Sequence, residues 1–240
     1  MNVRYTSPSI GKHTVEADQP PLSNDEQEVV RRFHELYYRR WLEGADTMNL
    51  NWFGHQLLKT PLDLWVYQEI LVRTLPDVIV ETGTWSGGSA LYLAMIFDRL
   101  EHGEVITIDV EPNVRRPEHP RITYMSGSST DPKVVERVRN IVGTRRAMII
   151  LDSDHRAAHV RAELKLYSPL VHLEDYLIVE DTNVNGHPAY PDYGPGPMEA
   201  LEDFLAESHE FVIDHRCERF LLTMNPSGYL IRRNASRDCR

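Results

Sequence analysis

Val78-Ile79-Val80-Glu81-Thr82-Gly83-Thr84-Trp85-Ser86-Gly87-Gly88-Ser89 is the stretch on which the fold turns. A short apolar run reaches an acid, passes into a turn of small residues, and leads into a segment that suits a helix. A continuous apolar run of this length, bounded by turn residues, reads as a strand covered on both faces. Glycine at Gly83 and Gly87 permits a tight turn and close approach of a ligand to the backbone. The dinucleotide fingerprint G-x-G-x-x-G is not met, because Thr84-Trp85-Ser86 separates the two glycines. The phosphate-loop motif fails as well, lacking its Gly-Lys-Ser/Thr ending.

Outward from this stretch the chain alternates. Strand-like runs follow at Val105–Asp109, Ile122–Met125, Met148–Asp152, Tyr176–Glu180 and Phe211–Asp214, with helix-like runs at about 87–100, 131–142, 156–168 and 196–208. Such alternation predicts an α/β fold with a mostly parallel sheet and right-handed crossovers. Phe220–Met224 and Tyr229–Ile231 flank Asn225-Pro226-Ser227-Gly228 and predict a hairpin or bent strand, antiparallel at the end of the sheet. Upstream, residues 25–46 have helical spacing of Val29, Val30, Phe33, Leu36, Tyr37 and Trp41. A second helix is predicted to start at Thr60, which can cap it, with Pro61 at its first position. Trp41, Trp65 and Tyr67 are expected in the core, and Asn49–Lys59, with Trp52, Phe53, His55 and Gln56, as a lid. The expected division is a flexible arm at 1–24, a helical segment at 25–74, a catalytic domain at 75–233 and a tail at 234–240.

Composition narrows the function. The 240 residues carry 26 Lys and Arg against 36 Asp and Glu, a formal charge of −10, which argues against nucleic acid as a partner. No window approaches the roughly 18 apolar residues of a membrane span, and the polar N-terminus lacks a signal-peptide core. Cys217 and Cys239 make no disulfide framework, so the cytoplasm is the expected compartment.

Chemistry concentrates where strands end. Met148-Ile-Ile-Leu-Asp152-Ser-Asp154-His155 and Ile178-Val-Glu180-Asp181 are apolar runs that stop abruptly in acids. Carboxyl ends of parallel strands form the rim of the ligand crevice. Acids gathered there repel unless a cation or proton intervenes, and a hard, oxygen-liganded ion such as Mg²⁺ resolves the conflict. Asp152 and Asp154 compete as the first ligand, since they point the same way if the strand continues. Asp154 could instead cap the helix that follows. His155, with an ordinary pKa near 6.5, is a candidate general base or a positioning residue. His159, one turn on, reads as a helix-surface residue. Asp109, ending Val-Ile-Thr-Ile-Asp, is placed to accept hydrogen bonds from ribose hydroxyls.

An acid at the end of strand one, E-x-G-x-x-x-G, and an acid at the end of strand two resemble the class I S-adenosylmethionine-dependent methyltransferases. The acid and histidine segments, with Asn183-x-Asn185-Gly186-His187-Pro188, Gly194-Pro195-Gly196-Pro197 and Lys59-Thr60-Pro61-x-Asp63-x-Trp65-x-Tyr67-Gln68-Glu69, resemble the cephalosporin-hydroxylase-like methyltransferases, and within them the rhamnosyl O-methyltransferases. The likeness extends over about residues 30–233. It implies a Rossmann-like, mostly parallel seven-stranded sheet with helices on both faces and an N-terminal helical extension. It implies S-adenosylmethionine held by Glu81, Gly83, Thr84, Gly87, Ser89, Asp109, Ser128, Ser129 and Asp152. It further implies Mg²⁺ on Asp152, Asp154, Glu180 and Asp181, and catalysis by His155 with Asp152. Asn183, Asn185, His187 and Tyr190 would meet the acceptor, although a proline-stiffened structural loop is the alternative. The implied acceptor is a deoxysugar such as rhamnose on a glycolipid, polysaccharide or natural product. A β-lactam, a macrolide or a non-catalytic cofactor-binding module are the other readings, and a homo-oligomer is expected.

Overall fold

The computed structural model describes residues 21–44, 50–112 and 115–233. The expected arm (all but its last four residues), the tail at 234–240, the end of the first helix at 45–46, Asn49 of the lid and Cys239 lie outside the described residues.

Helix α1 (Asn24–Glu43) opens on a capping box in which Ser23 and Glu26 satisfy each other's backbone donors. Its apolar residues Val29, Phe33 and Leu36 are exposed, and its buried side chain is His34. A small antiparallel pair, β1 (Leu50–Trp52) and β2 (His55–Leu57), follows where a lid was expected. Helix α2 (Pro61–Thr74) starts as predicted: Thr60 Oγ1 accepts from the Asp63 amide at 3.0 Å and Pro61 takes the first turn. Tyr67 is fully buried, but Trp65 is 57% exposed and donates to Glu69, so its assignment to the core is corrected. Helical periodicity puts the two on different faces, two residues apart.

Beyond this the strands are β3 (Val78–Thr82), β4 (Glu104–Asp109), β5 (Ile122–Ser126), β6 (Ala147–Leu151), β7 (Tyr176–Val179), β8 (Phe211–Ile213) and β9 (Tyr229–Arg232). The helices between them are α3 (Gly88–Leu100), α4 (Pro132–Val142), α5 (Ala157–Tyr167) and α6 (Pro197–Glu207). The seven-stranded sheet runs in the order β5-β4-β3-β6-β7-β9-β8, parallel except for β9, which is antiparallel to both neighbours. Phe220–Met224 is not a strand; the partner of β9 is β8, and residues 220–224 form turns and bends across which Asp63 binds Thr223 and the Met224 amide.

Both faces of the sheet are covered, which explains the unbroken apolar runs. Val78, Val80, Ile149 and Leu151 pack with α4, α5 and α6. Their neighbours Ile79, Met148 and Ile150 pack with α2 and α3. Chain order reverses between β3 and β6, and at that switch point Gly83 (φ +87°) leaves β3 directly against the backbone of Asp152. A Cβ at Gly83 would overlap the Asp152 carbonyl oxygen. Gly83→Ala is therefore expected to destabilise the protein by more than the ~1–2 kcal/mol of a left-handed alanine alone. Urea unfolding that shows a smaller loss would contradict this packing.

Candidate active site

Parallel register brings the functional residues into a row. Thr82 pairs with Leu151 and Leu151 with Val179. The ladder continues one step past the strands, with the Asp152 amide on the Thr82 carbonyl at 3.1 Å and the Glu180 amide on the Leu151 carbonyl at 3.0 Å. Gly83, Asp152 and Glu180 are thus neighbours along the rim. Asp181 follows with φ +54°, a left-handed conformation uncommon outside glycine, and its amide donates to Asn225 Oδ1 at 3.0 Å. Strain of this sort concentrates at functional sites.

Into this row comes a residue that sequence reading used only as part of a motif. Lys59, between β2 and α2, is buried with its side chain 2% exposed, and its Nζ donates to Asp152 Oδ2 at 2.7 Å and to Glu180 Oε1. Tyr67 Oη donates to the same Glu180 oxygen. Burial works to lower the Lys59 pKa, but Asp152, Glu180 and Glu81 outweigh it and hold the ammonium above its ordinary value. Burial pushes Asp152, Glu180 and Asp181 up, with Lys59 and, for the two aspartates, His155 opposing. His155 Nε2 stands 3.1 Å from Asp181 Oδ2 and 3.9 Å from Asp152 Oδ1. Its own burial lowers its pKa, yet Asp181, Asp152 and Glu180 leave it raised. Asp152, His155 and Asp181 each offer a ligand atom, all within 4.8 Å of one another.

Asp154 is outside that group. Its Oδ1 accepts from the Arg156 amide at 3.0 Å and it pairs loosely with the Arg156 side chain, turning the chain into α5. The strand stops at Leu151, so period-2 alternation does not carry Asp154 back to the Asp152 side.

Above the rim lies a cavity of about 600 Å³, lined by Gly83–Ser86, Asp109, Gly127–Ser129 and Asp152–His155, with Lys59 and Asp181 at one end. Ser89 lines it too, while Gly87 does not; Gly87 begins α3 with φ +78°. Asp109 accepts from the Trp85 amide at 2.6 Å and the Glu111 amide at 2.8 Å. Glu81 does not line the cavity: it is buried beneath the turn, Oε2 accepting from Thr107 at 2.7 Å while Oε1 has no hydrogen-bond partner among the described residues. Burial raises its pKa, and Lys59 and nearby hydroxyls offset this only in part. His159 also lines the cavity, its Nε2 3.0 Å from Ser129 Oγ and 3.5 Å from the buried Glu163, so it is not a mere surface histidine.

The loop after β7 departs from expectation. Asn183 is fully buried against His34 and Met224. Asn185 and His187 both bind Glu199 Oε1, at 2.7 and 3.0 Å, and none of the three lines the cavity. Burial raises the Glu199 pKa, but the Gly196 amide, Asn185 and His187 prevail and hold the carboxyl down to about 2. These side chains fasten the loop to α6. Tyr190 is the exposed one, in an aromatic row with Tyr38 and Tyr193 at centroid distances of 6.4 and 5.5 Å.

Comparison with known proteins places this geometry. The Rhamnosyl O-methyltransferase/CmcI family matches residues 45–233. A rhamnosyl O-methyltransferase of Mycobacterium tuberculosis (strain ATCC 25618 / H37Rv) is 41% identical, covering 85% of each chain. One from Mycobacterium leprae (strain TN) is 36% identical, covering 85% of this chain and 91% of the relative. A solved structure described as cmcI-D160 with Mg and SAM shares the fold, with a TM-score of 0.64 at 21% identity over 92% of this chain and 89% of that one. No helix among the described residues is long and apolar enough to cross a membrane. The chain belongs to the Rhamnosyl O-methyltransferase/CmcI family and is, with it, a methyltransferase.

Proposed function

We propose that the protein transfers a methyl group from S-adenosylmethionine to a sugar hydroxyl, on a deoxysugar such as rhamnose carried by a glycolipid, polysaccharide or natural product, with Mg²⁺ as its metal ion. One observation carries the reading. Asp152, just past β6, and Asp181, two residues past β7, line the same cavity as the glycine turn and Asp109. The relatives' name supports the acceptor class, and the Mg and SAM bound to the cmcI structure support the cofactors.

The residues present fit both groups. Asp152 and Asp181 supply hard oxygen donors, and with Glu180 they outnumber the Lys59 ammonium and the His155 imidazole that face them among the described residues. Asp152 rather than Asp154 is assigned as the ligand from β6. The cavity volume is of the order that holds a small organic molecule, roughly 300–1,000 Å³. Asp109 is assigned to the ribose, Ser128 and Ser129 to the adenine end, and the turn at Gly83–Ser86 to the amino-acid part. The unpartnered Glu81 Oε1 beneath that turn suits a nearby ammonium.

S-adenosylmethionine supplies a methyl group on a sulfonium, and a divalent cation lowers the pKa of an acceptor hydroxyl and orients it. His155 removes the hydroxyl proton at Nε2 and becomes an imidazolium, which Asp181 and Asp152 stabilise. The methyl carbon gains a bond to the acceptor oxygen and loses its bond to sulfur, leaving a neutral thioether. Tyr38 and Tyr193, close enough to Asp181 to feel its charge, and Tyr190 in the same aromatic row offer ring faces to a sugar beyond the cavity lining. The position of His155 Nε2 among the ligand atoms favours a rival assignment, in which that nitrogen is a third metal ligand and not the base.

Two tests follow. Asp181→Ala should abolish metal-dependent methylation of a rhamnosyl acceptor while calorimetry still detects S-adenosylhomocysteine; full activity of that variant in EDTA would refute the metal. His155→Ala should lower kcat by roughly 10²–10⁴-fold, the usual contribution of a general base. Unchanged Mg²⁺ affinity in that variant identifies a base, and a large loss of affinity identifies a ligand.

A further inference from the structure

We infer that His159 recognises the cofactor's adenine, accepting a hydrogen bond from its 6-amine at Nδ1, and that the buried Glu163 holds the ring in place for this. The inference rests on the placement of S-adenosylmethionine proposed above and adds to it a residue that the methyl-transfer step does not use.

One face of α5 supplies the arrangement. His159, Glu163 and Tyr167 follow one another at helical i, i+4 spacing, so their side chains lie along one side of the helix. Together they fasten the two loops at this end of the cavity. Tyr167 Oη donates to the Ser129 carbonyl at 2.6 Å, and Ser129 Oγ stands 3.0 Å from His159 Nε2. Ser153 Oγ donates to Glu163 Oε1 at 2.7 Å, and that oxygen is 3.5 Å from the same His159 nitrogen. His159 therefore sits at the end of the cavity assigned to the adenine, and its ring lines that cavity.

Glu163 decides which nitrogen is left for a ligand. It is fully buried, its Oε2 has no hydrogen-bond partner among the described residues, and His159 is its one ion-pair partner among them. A carboxylate so far from water demands a donor, and it accepts only. The proton of a neutral imidazole thus belongs on Nε2, which leaves Nδ1 as the acceptor. Nδ1 makes no hydrogen bond to a described residue, and it is not one of the enclosed polar atoms that lack a partner, so it is open on a ring that lines the cavity. An adenine whose ribose lies on Asp109 turns away from that acid the edge bearing its 6-amine. An acceptor suits that amine and opposes the carbonyl that replaces it in hypoxanthine.

The test is calorimetric titration of wild type and His159→Gln with S-adenosylhomocysteine and with its 6-deaminated analogue, S-inosylhomocysteine. Glutamine keeps an amide donor near the Nε2 position for Glu163 and Ser129 but has nothing at the place of Nδ1. Glu163 raises the His159 pKa against the effect of burial, so the titrations are run at about pH 9, well above the ordinary imidazole value of about 6.5. Wild type is expected to prefer the adenosyl compound by roughly tenfold or more. In His159→Gln, adenosyl binding should weaken roughly five- to tenfold and the preference shrink to about threefold or less. A purely structural histidine would leave the preference of His159→Gln at the wild-type value, and that result overturns the inference, as does a wild type with no preference. Should His159→Gln fail to fold by circular dichroism, a crystal of wild type with S-adenosylhomocysteine decides: Nδ1 within about 3.2 Å of the 6-amine supports the inference, and a larger separation overturns it. Absence of binding of either compound to wild type, at millimolar concentration, overturns the placement of the cofactor and the inference with it.

Discussion

Carboxylates at the ends of adjacent parallel strands stand about one strand spacing apart, roughly 4.8 Å, and in a dry rim they cannot all stay charged without a cation. In this protein the register of β3, β6 and β7 imposes that arrangement on Asp152 and Glu180, with Asp181 one residue beyond. Lys59 answers it from outside the sheet. To place its ammonium there, β2 must dock on the start of α3, where Gly88 passes too close to the Gln56 carbonyl to admit a side chain and Ser86 Oγ binds the same carbonyl. Thr60 must then start α2, and Tyr67 must reach Glu180 from two turns further along. The N-terminal segment is thus part of the site.

The same constraint separates two halves of one cavity. Toward β4 and β5, the serines after Gly127 and Asp109, whose carboxylate stands 3.6 Å from the Arg116 guanidinium, present hydrogen-bonding groups. Toward β7 the wall is acidic, with His155 between Asp152 and Asp181. In the reaction we propose, the sulfonium donor and the hydroxyl acceptor would meet at that boundary, which falls at Gly83, where the β3 and β6 backbones make contact.

Much of this was legible in the chain, and the exceptions have physical causes. Buried parallel strands advertise themselves as apolar runs, so β3, β4, β6 and β7 and the acids that end them could be read directly. The family resemblance agreed with the fold and with the relatives. Lys59 could not be read as a site residue, because it lies 93 residues before Asp152 and only docking of the N-terminal segment joins them. A signal was present in the Lys-Thr-Pro-x-Asp motif, but charge alone does not reveal a buried partner. Asn185 and His187 look like acceptor contacts by type, yet Glu199 on α6 takes both. Asp154 shares the side of Asp152 only if the strand continues past Asp152, whereas β6 ends at Leu151. Phe220–Met224 has strand composition, but its backbone serves the buried Asp63 instead of a ladder.

Anomalous scattering locates a metal without reference to activity, and it addresses the central claim directly. Crystals grown with Mn²⁺ and S-adenosylhomocysteine should show one strong anomalous peak between the Asp152 and Asp181 carboxylates, beside His155 and at the acidic end of the cavity that holds the thioether. A peak elsewhere, or none at that position with the thioether bound, would contradict the account.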